Sequence, residues 1–248
     1  MEPLKHAVII AGGRGERLRP YTEDRPKPMV PLMGSPLISY SVKWLTAQGV
    51  TNITICCGHM HQVIVDYFGD GAKFGAKINY LIEEKPLGRG GAIRAALESI
   101  PRTVKNVLAM NGDIMTNLNL SDLQEFHRQQ KGMVTLTSVP LVSPYGIVDM
   151  TDDGDVKGFR EKPQLPFWIN AGIYLMDTSV LPLLPAMGDH EESTFPQLAA
   201  QGKLKCYRST AFWRAVDTVK DLTELRNECE QLFFGTMFNR LDFSPNRF

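Results

Sequence analysis

Short apolar runs alternate with stretches of helical periodicity through the first half of the chain. Residues 6–11 form a continuous apolar run that ends in glycines, which predicts a buried strand and a tight turn. Residues 36–48 predict a helix opened by Pro36 and closed by Gly49. Residues 52–57, 78–82 and 106–110 predict further strands, with helices at 61–68, 89–100 and 121–130. Pro101 stops the second of these helices, and Ser121 is a candidate N-cap for the third. This alternation predicts an α/β protein with a mainly parallel sheet.

The second half follows another pattern. Residues 133–140, 147–150, 156–159 and 169–176 are short strand candidates, separated by turn signals such as Asp152-Asp153-Gly154. They predict a small antiparallel sheet added to the α/β core. Helices are expected near 193–200 and 218–232. No repeat, low-complexity tract or linker interrupts the chain, so residues 1–232 read as one domain with halves at about 1–110 and 111–232. The aromatic tail 233–248 lacks a clear period and has two places to pack, the domain or a neighbouring subunit; a homo-oligomer is compatible with it.

Composition narrows the partners. The 27 Lys+Arg balance the 27 Asp+Glu, which argues against a nucleic-acid partner held by phosphate electrostatics. No apolar run approaches the ~18 residues that cross a membrane. The first six residues contain Glu2 and lead straight into the first strand, a poor signal peptide. Cysteines 56, 57, 206 and 229 make no CxxC pair or metal-finger spacing. Adjacent Cys56 and Cys57 read as buried strand thiols, and the expected compartment is a reducing cytoplasm.

Two segments carry candidate chemistry. Ala11-Gly12-Gly13-Arg14-Gly15-Glu16-Arg17-Leu18-Arg19-Pro20 follows a strand and so lies at the carboxyl edge of the sheet. Its glycines let backbone N–H groups approach phosphate. Leu18 stands where the dinucleotide fingerprint needs glycine, and no Gly-Lys-Ser/Thr follows, so neither common phosphate loop is present. A tight turn with solvated arginines explains the glycines equally well. In Arg25-Pro26-Lys27-Pro28 two prolines fix the backbone around Lys27, which suits a point-charge contact to phosphate. Alone, Lys27 reads as a solvated loop lysine; the upstream glycine turn changes that balance.

With these residues the chain resembles the sugar-1-phosphate nucleotidyltransferases. The resemblance continues through Gly34-x-Pro36-Leu37-Ile38, Asn111-Gly112-Asp113, Tyr145-Gly146-Ile147-Val148, Phe159-x-Glu161-Lys162-Pro163 and Ile169-Asn170-Ala171-Gly172, covering roughly residues 5–232. It implies a Rossmann-like sheet flanked by helices, with the added antiparallel sheet on the sugar side. It also implies transfer of a nucleoside monophosphate from an NTP to a sugar 1-phosphate, with release of pyrophosphate and Mg²⁺ as cofactor. No protein nucleophile is required, so catalysis rests on positioning and charge stabilisation. By the resemblance, Ala11, Gly12, Gly13 and Gly15 cradle the triphosphate and Arg17 stabilises the leaving pyrophosphate. Lys27 lies between the reacting phosphates. Lys162 holds the sugar phosphate, and Gly146, Glu161 and Asn170 form the sugar pocket.

Asp113 ends a strand beside Lys27 and is the first metal candidate; a turn Asp bonding its own backbone is the alternative. Many relatives carry the second metal Asp two residues after a tryptophan. Here that position is Ala215, and Asp217 lies two residues further, on the same face of an extended segment. This Trp213-x-x-x-Asp217-Thr218 stretch looks like the glucose-1-phosphate cytidylyltransferase branch. Asp217 is assigned as second ligand, or else it caps the next helix. Glu83, at a strand end, is the expected base reader together with Gly88. A carboxylate only accepts, and guanine offers two adjacent donors where cytosine offers one. Glu83 and Pro86-Leu87-Gly88 point to GTP, while Ile55-Cys56-Cys57-Gly58 and Asp217 look cytidylyl-like, so CTP stays open behind GTP. A solvated strand-end acid is the other reading of Glu83. Ala215 keeps a non-catalytic nucleotide-sugar-binding homologue in view. The sugar cannot be read from the sequence.

Overall fold

The computed structural model describes residues 3–233. The expectations for the first two residues and for the tail 234–248 lie outside the described residues. In chain order the elements are β1 (His6–Ile10), β2 (Pro31–Leu32), β3 (Ser35–Pro36), α1 (Leu37–Ala47), β4 (Asn52–Cys57), α2 (His61–Phe68), β5 (Lys77–Ile82) and α3 (Gly88–Ser99). There follow β6 (Asn106–Asn111), β7 (Ile114–Thr116), α4 (Leu120–Gln130), β8 (Val134–Val142), β9 (Ile147–Met150), β10 (Val156–Arg160) and β11 (Gln164–Asp177). The chain then forms α5 (Thr194–Ala200), β12 (Leu204–Arg208), β13 (Trp213–Ala215) and α6 (Val219–Phe233).

Seven strands build the central sheet in the order β12-β8-β11-β6-β1-β4-β5. β1 runs parallel to both β4 and β6, and β4 parallel to β5. β11 runs antiparallel to both β6 and β8. Of the strands expected between 133 and 176, only β9 and β10 form a separate antiparallel pair; β7 and β13 make another small antiparallel pair. The strands expected at 133–140 and 169–176 join the main sheet instead, because β11 is long enough, at 14 residues, to pair with β6 and β8.

The sheet is buried on both faces. Trp44, Ile53, Ile55, Leu108, Ile173 and Leu123 belong to one apolar cluster. Val8, Ile93, Ala96, Ala109, Tyr174 and Leu198 belong to the other. Burial on two faces is why the strands read as continuous apolar runs rather than alternating ones. A third cluster packs Leu18, Val30, Leu32, Tyr40 and Val216 against Leu222 and Leu225 of α6. It ties the loops after β1 to the far end of the chain. One cap differs from expectation: Asn119, not Ser121, caps α4, its side chain accepting from the Ser121 N–H at 2.9 Å. The helix begins one residue before Ser121, so Ser121 already lies inside it.

Candidate active site

β1 sits where the sheet order reverses, with β4 on one side and β6 on the other, which is where open α/β sheets leave a crevice for ligand. The Ala11 N–H donates to Cys56 O (2.7 Å) and the Gly112 N–H to Ile10 O (2.8 Å). The loops after β1 and β6 therefore leave the sheet side by side. In the first loop Gly15 has φ +68°, and a Cβ there would lie 2.6 Å from Lys27 Cβ. Only glycine lets the loop close onto Lys27. Gly13 has open space where a side chain would be. A 3-10 turn, Glu16–Leu18, buries Leu18 completely and leaves Arg17 on the rim. Lys27 opens a second 3-10 turn, Lys27–Met29, anchored by buried Pro28 and Met29.

The Lys27 ammonium donates to two carboxylates. One is Asp113 Oδ2; the other is Asp217 Oδ1, at 2.6 Å. Arg17 Nη2 meets the same Asp217 oxygen at 3.1 Å. Asp113 and Asp217 come together because β7 and β13 pair antiparallel, with Ala215 opposite Ile114, and the Val216 N–H donates to Asp113 O at 3.1 Å. Both carboxylates touch one ammonium, so those two oxygens lie within about 6 Å, two hydrogen-bond lengths. Asp217 does not cap α6. Thr218 does: Asp221 Oδ2 accepts from the Thr218 N–H (2.7 Å), and Thr218 Oγ1 accepts from the Asp221 N–H (3.2 Å). Burial disfavours the charged form of Lys27, but the charges of and hydrogen bonds to Asp113 and Asp217 outweigh it and hold its pKa above the ordinary lysine value. Burial likewise opposes the charge on Asp217, and Lys27 and Arg17 prevail, holding its pKa down. Asp113 Oδ1 is buried and has no hydrogen-bond partner.

A second polar network forms the opposite wall. Glu191 Oε1 accepts from Tyr174 Oη (2.6 Å) and Asn170 Nδ2 (2.7 Å), and Glu191 Oε2 pairs with Arg89 at 2.7 Å. Arg89 also forks onto Asp189 at 3.1 and 2.8 Å. Burial first, then Glu191, raises the Tyr174 pKa above its ordinary value. Between Asp189 and Glu191, the His190 ring is fully buried against Tyr174 and Phe195, with neither ring nitrogen bonded. Burial pushes its pKa down to about 4.

Between the two walls lies a cavity of about 540 Å³, a size suited to a small-molecule ligand. A model of the family described as "Nucleotidyl transferase" matches residues 6–231. The chain belongs to this nucleotidyl transferase family. It is 34% identical over 225 residues to a mannose-1-phosphate guanylyltransferase of Mycobacterium tuberculosis, covering 87% of this chain and 62% of that one. It is 32% identical over 215 residues to a UTP–glucose-1-phosphate uridylyltransferase of Synechocystis, covering 79% and 55%. The chain thus spans about six tenths of the length of the curated relatives it matches. Among solved structures, HddC from Yersinia pseudotuberculosis superposes with a TM-score of 0.74 at 26% identity, covering 91% of this chain and 100% of that one. The same protein complexed with GMP-PN gives 0.72 at 25% identity, with the same coverage.

Of the residues singled out from the sequence of this nucleotidyl transferase, Ala11, Gly12, Gly13, Arg17, Lys27, Asp113, Asn170 and Asp217 line the cavity. Gly15 stands behind Lys27. Glu83 closes its own turn, accepting from the Leu87 N–H at 2.9 Å, and its other oxygen would lie 3.1 Å from a Cβ on Gly12. Gly88 packs on the Gly188 backbone, 2.7 Å from where its Cβ would be, so its small size serves the closure of α3 onto residues 185–190. Gly146, Glu161 and Lys162 fall outside the lining. A Cβ on Gly146 would strike the Phe159 ring and come within 3.0 Å of Glu161 Oε2. Lys162 reaches Glu224 of α6 at 3.0 Å. The sequence reading missed Arg89, Tyr174 and Glu191. Their signal, a lone Arg among glycines and an acid run before a helix, acquires meaning only once residues 170–191 fold back on α3.

Proposed function

We propose that the chain transfers a nucleoside monophosphate from an NTP, with GTP favoured, to a sugar 1-phosphate, releasing pyrophosphate. The observation that carries this reading is the Lys27 ammonium held between Asp113 and Asp217 at the mouth of the glycine turn. The residues lining the cavity include no serine, cysteine or histidine, in keeping with direct attack by a sugar-phosphate oxygen on the α-phosphorus. Lys27 then neutralises charge gathering on the reacting phosphates, and Arg17, on the rim, stabilises the departing pyrophosphate. Backbone N–H groups of Gly12 and Gly13, left open by the absence of side chains, orient the triphosphate.

The two carboxylates fit a Mg²⁺ ion. They are hard oxygen donors brought to one point, and Asp113 Oδ1 is a buried acceptor without a donor. Among the described residues no group of three or more His, Cys, Asp or Glu could hold a metal. Asp113 and Asp217 would therefore share the ion with substrate phosphates, the usual Mg²⁺ arrangement. When bound it would supply further neutralisation of phosphate charge. Asp217 takes the place that Ala215 leaves empty, which favours turnover over a merely binding homologue.

Glu83 supports the guanine choice. One carboxylate oxygen holds the 83–87 turn, and the other faces Gly12 at the nucleotide side. Names of relatives point the same way. In the sugar half, Asn170 spends both amide hydrogens on Tyr174 and Glu191 and its oxygen on the Gly172 N–H. It orients the wall, and Glu191 presents the acceptor for a sugar hydroxyl. Incubation with Mg²⁺, each of four NTPs and a panel of sugar 1-phosphates, with pyrophosphate as readout, tests the whole reading. GTP should give the highest rate. Preference for CTP would move the chain to the cytidylyl branch, and no pyrophosphate with any pair would leave a binding protein.

A further inference from the structure

In the wall opposite Lys27, some polar groups are spent and others are not. Tyr174 Oη donates to Glu191 Oε1 (2.6 Å) and accepts from Asn170 Nδ2 (2.9 Å). Asn170 gives its other amide hydrogen to Glu191 Oε1 (2.7 Å), and its oxygen accepts from the Gly172 N–H (3.0 Å). Arg89 and Glu191, which both line the cavity, keep capacity. Of the Arg89 N–H donors, Asp189 takes two and Glu191 stands at a third, so part of the guanidinium's donor set is unspent. Glu191 Oε2 meets only Arg89 in this network and can accept again. An unspent donor and an unspent acceptor thus stand side by side in the cavity wall, Arg89 Nη1 and Glu191 Oε2 being 2.7 Å apart.

The pair is held from behind. Asp189, outside the lining, accepts from the Arg89 backbone N–H (3.0 Å) as well as from its side chain. The Gly90 and Gly91 N–H groups both donate to Gly188 O (2.9 and 3.2 Å). A Cβ on Gly90 would lie 2.7 Å from the His190 N, so the lack of a side chain there lets residues 188–191 close onto α3. Groups fixed in this way bind without an ordering cost. One guanidinium also faces two carboxylates, so the wall carries an excess of negative charge. A phosphate or carboxylate is repelled there and belongs with Lys27 and Arg17 across the cavity. We propose, on the sugar 1-phosphate chemistry inferred above, that Arg89 and Glu191 together read two neighbouring hydroxyls of the sugar, Glu191 Oε2 accepting from one and Arg89 donating to the other. The substrate is then an uncharged sugar with a free vicinal diol whose oxygens are gauche, as close together as the donor and acceptor that read them.

Pyrophosphate release is measured for wild type, Arg89→Met and Glu191→Gln, with the sugar 1-phosphate that wild type uses fastest and with each of its monodeoxy analogues. Wild type should lose roughly 10- to 150-fold in kcat/KM when either of two neighbouring hydroxyls is missing, the effect of one hydrogen bond to a charged group. In Arg89→Met one of those two penalties should disappear. In Glu191→Gln the other should, because Tyr174 and Asn170 hold the amide oxygen and leave an NH₂ where Oε2 was. Should Arg89→Met disturb folding, Arg89→Lys, which keeps the charge without the fork, should shrink the same penalty. Equal losses for the parent sugar and every analogue would make Arg89 a clamp between α3 and residues 188–191, and overturn the assignment. Sensitive hydroxyls that are not neighbours, or a sugar acid as best substrate, also overturn it, as does a penalty that follows the 2′- or 3′-deoxy NTP instead of the sugar. No pyrophosphate from wild type with any NTP and sugar would overturn the reaction itself, and this subsite with it.

Discussion

Replacing His190 with phenylalanine should remove a large part of the protein's sensitivity to acid. The ring is fully buried between Tyr174 and Phe195, at centroid distances of 5.0 and 4.7 Å, and has no hydrogen-bond partner for either nitrogen. Burial lowers its pKa from 6.5 to about 4. The neutral ring is therefore the form the fold favours. Its contribution is complete above pH 6.5 and drains away as pH falls through about 4. Such a difference amounts to roughly 3 kcal/mol in full and to about 2 kcal/mol already lost at pH 5. For a domain of this size that is roughly 4–8 °C of melting temperature. Thermal melts from pH 7.5 to 5.0 on the wild type and on His190→Phe should show the variant losing less by that amount. Burial also lowers the pKa values of His127 and His6, so some acid loss remains in both proteins. A phenyl ring is larger than imidazole, and overpacking would lower the variant at all pH values alike, which leaves the slope interpretable; His190→Leu should share the flatter slope. Parallel losses in wild type and variants would refute the reasoning.

Three further outcomes follow from the site. Lys27→Ala should lower turnover by at least ~10²-fold with the fold intact, because it removes a positioned charge from the reacting phosphates; near-normal turnover would make Lys27 an ordinary loop lysine. Asp217→Asn should weaken Mn²⁺ binding measured by calorimetry in the presence of nucleotide, whereas Thr218→Ala, which touches only the helix cap, should cost about 1 kcal/mol of stability and leave metal affinity alone; equal metal affinity in wild type and Asp217→Asn would remove Asp217 from the metal site. Glu83→Gln should reduce GTP specificity by roughly 5- to 150-fold, the effect of one unpaired buried donor at about 1–3 kcal/mol, with UTP use falling less. A variant that keeps its GTP preference would shift the base contact to backbone groups near Gly12.

The fold was legible where burial and period agree. β1, β4 and β6 are buried on both faces and announce themselves as apolar runs, broken only by buried Thr54 in β4, closed by glycine or by a turn. β13, at three residues, and β12, a mixed Leu-Lys-Cys-Tyr-Arg, carry too few positions for any period to emerge. Their existence depends on neighbours: β12 follows the register of β8, and β13 that of β7. The same dependence explains the placement of 133–140 and 169–176. Alternation marks them as strands but says nothing of which sheet receives them.

The site divides along the same line. Gly15 and Lys27 are close in sequence, and their coupling shows in the spacing of glycine turn and proline-flanked lysine; the contact of 2.6 Å that a Gly15 Cβ would make explains why the two segments occur together. Asp113 and Asp217 are 104 residues apart, since 217 − 113 = 104. Nothing local joins them, and only the resemblance to a family connected them before the pairing of β7 with β13 did so physically. Ala215 and Asp217 both line the cavity, so a carboxylate at either position would reach it. Thr218 and Asp221 bond to each other at the start of α6, so the Asp217 carboxylate is not consumed as a cap and remains available to Lys27. The wall built from Arg89, Tyr174 and Glu191 had no such relative to point to it. Its three members come from a helix start, a strand interior and a loop, and each alone is an ordinary residue. Their charge and hydrogen-bond balance exists only in the folded chain, where two carboxylates share one guanidinium and the tyrosine hydroxyl finds the acid.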